Sequence, residues 1–150
     1  MFKIDGQNAV SETYAKLVTL YGTDAAGVTA GQVVMLDTAD TTNGAGNSVK
    51  IADAEDSPLV VGVAMETTTA VGAYAVQVAG TTSTTTSDSG GATTIGLLIG
   101  SGTGGGNGRV QNNAAWSQTA APFAVCVTAH SGAAVADGAI KIIDKGWFND

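Results

Sequence analysis

The sequence is poor in the residues from which enzymes and metalloproteins build their sites. Its 150 residues include one cysteine, one histidine and two prolines, and only 13% are charged. A lone Cys126 rules out an internal disulfide, and beside Ala124, Val125 and Val127 it reads as a small buried hydrophobe. One histidine and one cysteine cannot furnish a tetrahedral zinc site without carboxylates. No apolar run approaches the ~18 residues of a membrane span, and Met1 to Gly6 carries no apolar stretch after Lys3, so neither signal peptide nor membrane anchor is expected. Six basic residues stand against 13 acidic ones, a formal charge of −7. That balance repels phosphate, and six scattered cations do not form the basic stripe that nucleic-acid binding needs.

What is abundant points one way. The chain is 44% hydrophobic, holds 21 glycines and is rich in Thr, Val and Ala. β-Branched residues fit a pleated surface and glycines supply turns, so the expected fold is all-β, a small β-barrel or β-sandwich with long Gly/Ser/Thr-rich loops. The length suits one domain over 1–150. Val10 to Tyr21 fits both a helical stripe and a strand, and the strand reading is preferred. Strands are predicted at Gln32 to Leu36, Ser48 to Ala52, Leu59 to Met65, Ala73 to Ala79, Phe123 to Val127 and Ala139 to Ile143. The near-continuous apolarity of Leu59 to Met65 predicts burial on both faces. The two-residue period of Tyr74, Val76 and Val78 predicts a half-buried strand.

An internal echo aligns Val28 to Asp37 with Val135 to Asp144, each with a glycine (Gly31, Gly138) before an aliphatic run. A tight turn at positive φ feeding a strand would account for both glycines. Thr81 to Gly91 is Ser/Thr-rich and Gly100 to Gly108 is glycine-rich; with the apolar segment Thr94 to Ile99 they read as an elaborated hairpin with mobile ends, a mobile insertion over 81–108. Flexible arms are expected at 1–10 and 145–150.

The chemical motifs each lack a partner. Gly100 to Gly105 matches the dinucleotide fingerprint, but Gly106, Asn107 and Gly108 follow where a helix should open, and no acidic residue between Asp88 and Asp137 is there to hold a ribose. No cofactor is expected. His130 is the sole candidate base and Cys126 the obvious nucleophile; on a straight strand they stand ~13 Å apart, too far for proton transfer, so a loop histidine and no enzyme are expected. Asp37, Asp40, Asp53, Glu55 and Asp56 flank one predicted strand and could converge on calcium, but their spacing fits no EF-hand loop and they read as solvated turn carboxylates. Nothing selects two of them as a glycosidase pair. Trp147 and Phe148 are adjacent in a chain with few aromatics. They could seal the end of the barrel or anchor an arm in a partner, with Phe2 and Ile4 as a second candidate arm.

The succession Gly27 to Leu36, Val49 to Asp56, Val60 to Ala64 and Val71 to Gly80 resembles the decoration, or cement, proteins of tailed-phage capsids. The match covers about a third of the chain and is a pattern of turns and strands. The resemblance implies a β-rich protein on the outer surface of the virion capsid, made in the host cytoplasm. It further implies a homo-oligomer, most often a trimer, that binds the major capsid protein and holds neighbouring subunits together. Candidate capsid or subunit contacts are Phe2, Ile4, Trp147 and Phe148. The alternatives are another virion surface component (head-fibre base, tail protein or glycan-binding adhesin) and a small β-barrel enzyme using His130.

Overall fold

The structure, a computed structural model, describes residues 15–82, 92–104, 106–112, 121–131 and 138–148. Among these residues the chain is all-β, with nine strands and no helix: β1 (Lys16–Gly22), β2 (Val33–Leu36), β3 (Val49–Ile51), β4 (Val60–Ala64), β5 (Gly72–Thr82), β6 (Leu98–Gly102), β7 (Arg109–Asn112), β8 (Ala124–Thr128) and β9 (Ala139–Ile142). The first five run in the order β1-β3-β2-β4-β5, and β1 pairs back onto β5, closing a barrel. β5 is long enough to leave the barrel: its residues 80–82 pair with β9 and begin a second sheet, β5-β9-β8-β6-β7.

Alternation along β2 shows how the two layers share a wall. Val34 and Leu36 face the barrel interior with Val28, Val49, Val76 and Val78. Val33 and Met35 point outward, into a second core completed by Ile99, Val110, Phe123, Ile140 and Ile142 of the other layer. β4 does the same, with a register shift opposite Val34/Met35, and every one of its residues is buried. Continuous apolarity in this segment therefore does mean two covered faces. At Gly62 the approach of β4 to β5 is so close that a Cβ would land on the Gln77 carbonyl oxygen.

Three expectations change. β5 is not simply half-buried: Val76 to Ala79 are buried on both faces, because the strand passes from the barrel into the second sheet, and Gln77 Nε2 is satisfied by the carbonyls of Ala79 (3.2 Å) and Thr81 (2.9 Å). Within 81–108, Thr82 ends β5 and residues 98–102 form β6, whose Gly100 and Gly102 are buried, so this part of the glycine tract is strand rather than loop. The strand signal begins later than predicted, and Ile95 and Leu97 stay exposed. In the echo, Gly31 does take positive φ (93°), but Gly138 does not; a side chain there would strike the His130 ring, so close packing explains it.

Candidate functional site

The predicted aromatic pair near the C-terminus is split by the fold. After β9, Asp144 accepts the Gly146 amide at 2.8 Å, and Lys145 turns inward to donate to the carbonyl oxygens of Pro58 and Val60, both at 2.9 Å. Burial of that ammonium lowers its pKa below the usual lysine value. Phe148 then packs against the barrel's aliphatic core, while Trp147 stays 46% exposed with its ring 4.7 Å from Lys145 Nζ. Residues 145–148 are thus tied to the barrel at two points, and only Trp147 presents an aromatic surface outward. Phe2 and Ile4, the other predicted contacts, lie outside the described residues.

A larger exposed apolar surface was not anticipated. β1 alternates, with Leu17, Thr19 and Tyr21 outward and Val18 and Leu20 toward the barrel core. Opposite Tyr21 and Thr19 on β5 stand Ala73 and Ala75, and Val71 precedes that strand. Leu17, Tyr21 and Val71 are 55%, 41% and 50% exposed, so the strip presents hydrophobic side chains, with Asp40 beside Tyr21 and Val71 at one end and the Glu66 carboxylate accepting the Ala75 amide at 3.0 Å. The alternation is legible in the sequence; which side would remain uncovered is not. On the second sheet, Val127 and Ile143 are also exposed.

The five acidic residues do not converge. Asp37 accepts from Thr23 Oγ1 at 2.6 Å, and Asp53 pairs with Lys50 at 2.7 Å. Asp40 accepts from Ser48 Oγ (2.5 Å), from Asn43 and from the Thr42 amide; the Ser48 bond first, then Asn43, brings its pKa down to about 2. Glu55 and Asp56 sit in a turn fixed on β6, where the Asp56 amide donates to the Ser101 carbonyl at 2.8 Å. Asp24, which was not singled out, caps the Ile51 amide at 2.6 Å, and burial raises its pKa. Among the described residues no group of three His, Cys, Asp or Glu side chains is placed to hold a metal ion. The carboxylates chiefly accept hydrogen bonds that set loop shape.

Cys126 and His130, by contrast, are brought closer than a straight strand allows. A register shift between Cys126 and Thr128 bends β8, and both side chains reach one hydroxyl: Thr93 Oγ1 lies 3.4 Å from Cys126 Sγ and 2.8 Å from His130 Nδ1, and accepts the His130 amide at 2.8 Å. Periodicity carried no signal for Thr93, which lies at the end of a Ser/Thr-rich stretch. All three are buried, with His130 and Cys126 each 1% exposed, so the cluster joins the segment before β6 to the end of β8 away from solvent.

Gly100 to Gly102 open no helix; they pair with β7 from Gln111 to Arg109. Their burial comes from strand packing, and the phosphate-cradle geometry of a dinucleotide fold is absent from this segment. No protein family, curated protein or solved structure matches the chain.

Proposed function

We propose that this protein is a capsid decoration protein of a tailed phage, binding the outer surface of the virion head and reinforcing contacts between major capsid subunits. The observation that carries this reading is a closed barrel with an exposed apolar strip along β1 and β5 and an exposed Trp147 held on a docked tail. Surfaces of this kind serve protein contacts. The resemblance over Gly27 to Gly80 falls on β2 to β5, the strands that build most of the barrel.

The mechanism is area burial repeated over a lattice, where many modest contacts gain from avidity. The reading has the protein act as a homo-oligomer, with trimers near threefold positions, without a cofactor, nucleic acid or membrane. It is not an enzyme in this proposal: the one Cys and His that meet do so around a buried threonine hydroxyl.

The test is co-sedimentation of the full chain with expanded and unexpanded shells of the phage that encodes it. Binding to shells that weakens on Trp147→Ala is expected, with His130→Ala variants that fold retaining it. Failure to bind either shell overturns the proposal.

A further inference from the structure

Two Asn-Gly dipeptides occur in the chain, Asn43-Gly44 and Asn107-Gly108. Asparagine before glycine is open to an internal reaction, because the next amide nitrogen reaches the asparagine side-chain carbon and glycine carries no side chain to hinder it. The sequence offers both sites equally; the fold separates them. Gly108 is buried, its amide donates to the Ala52 carbonyl at 2.8 Å, and its own carbonyl accepts the Val33 amide at 2.8 Å. That nitrogen is committed to the barrel wall.

Asn43-Gly44 lies in the loop between β2 and β3, with Asn43 exposed. There the Gly44 carbonyl accepts the Asn47 amide at 3.0 Å, while the Gly44 amide meets no acceptor among the described residues. Asn43 is also the residue that ties this loop to Asp40. Its amide donates to one carboxylate oxygen at 3.2 Å and its Nδ2 to the other at 2.9 Å, while its carbonyl accepts Asn47 Nδ2 at 2.8 Å. We propose that Asn43 is a site of spontaneous deamidation, whose products unfasten the loop from Asp37 to Ser48. The Gly44 amide gives its proton to solvent base, and its nitrogen bonds to Asn43 Cγ as the bond from Cγ to Nδ2 breaks; Nδ2 leaves as ammonia and a cyclic imide remains. Water then opens the imide at either carbonyl, giving aspartate or, with the backbone routed through Cγ, isoaspartate. Either product sets a second carboxylate against Asp40 in place of the Nδ2 donor, and isoaspartate also lengthens the backbone between the Asn43 and Gly44 carbonyls that Asn47 grips. Asp40 thereby loses the second of the hydrogen bonds that hold its pKa down. This goes beyond the capsid reading and does not depend on it.

Peptide mapping by mass spectrometry of the folded full chain, held in mildly alkaline buffer, tests the site. Asn43 is expected to convert at least about tenfold faster than Asn107, whose Gly108 nitrogen reacts only after local opening. In urea the two rates should converge, since the dipeptides are then alike. Folded rates that are equal, a faster Asn107, or an Asn43 that survives in the folded chain while the unfolded chain converts it overturns the proposal. N43D, the aspartate product itself, tests the consequence by NMR. Asp40 should titrate at higher pH than in the wild type, and amide exchange should quicken from Asp37 to Ser48 with β4 and β5 unchanged. An Asp40 titration and loop exchange that match the wild type overturn the unfastening.

Discussion

The barrel and the sheet packed on it are held by different means. Among the described residues the barrel interior is almost wholly aliphatic, with Tyr74 its one fully buried aromatic, and its backbone is closed by pairing β1 to β5. Among the described residues the second sheet ends at β7, and its core depends on the outer faces of β2 and β4. It is also pinned by buried hydroxyls. Ser101 Oγ accepts the Ser57 amide at 3.0 Å and donates to the Ala54 carbonyl at 2.7 Å, and Thr93 joins β8 to the segment before β6. The barrel too uses side chains where its ladder stops, as where Asp24 accepts the Ile51 amide, but its wall is closed by backbone pairing, whereas the second layer is fixed to it by these hydroxyls and the shared core. The contrast makes the second layer the part that opens first, with the barrel as its platform.

The largest expected effect falls on the platform. Gly62→Val drives a side chain onto the Gln77 carbonyl, and since strand backbone cannot yield there, the loss should exceed about 4 kcal/mol and leave little folded protein by circular dichroism. Phe123→Ala empties the largest fully buried side chain of the shared core and should cost about 3–5 kcal/mol in urea unfolding. Its amide exchange should quicken in β6, β8 and β9 well before β2 and β4. Uniform acceleration would break the contrast between layers. Ser101→Ala strands the buried Ser57 amide and should cost about 1–3 kcal/mol, again with the barrel amides least affected.

The smallest effect is a pH dependence confined to the barrel's loop from Asp37 to Ser48. Because the folded state lowers the Asp40 pKa from 3.8 to about 2, its contribution is complete above the ordinary carboxylate range. It is lost as pH falls toward 2. An NMR titration should place Asp40 near that value in the wild type and closer to an ordinary aspartate in Ser48→Ala, with the second sheet unchanged.

The sequence was most legible where a local pattern and a tertiary need coincided. Val60 to Ala64 announce a strand covered on both sides because both layers claim its faces. β7, Arg109–Asn112, was missed: its residues have little strand character, and pairing with β6 creates the element. Gly100 to Gly102 were misread for a related reason, since glycine marks a loop locally yet also permits tight packing within a sheet. The Cys126 and His130 separation assumed a straight strand, and the bulge in β8 removed that assumption. Of the predicted contact residues, the described pair proved unlike: Phe148 faces the core and Trp147 the solvent.

By itself, the sequence determined the all-β class, through β-branched composition and two-residue alternation. Those are properties of residue type and spacing along a few positions of chain. Only the tertiary structure decided that β5 serves two sheets, that Thr93 gathers Cys126 and His130, and that Leu17 and Tyr21 of β1 stay exposed. Each of these depends on which distant segment occupies a strand's second face or second edge, and strand periodicity is the same whichever neighbour arrives.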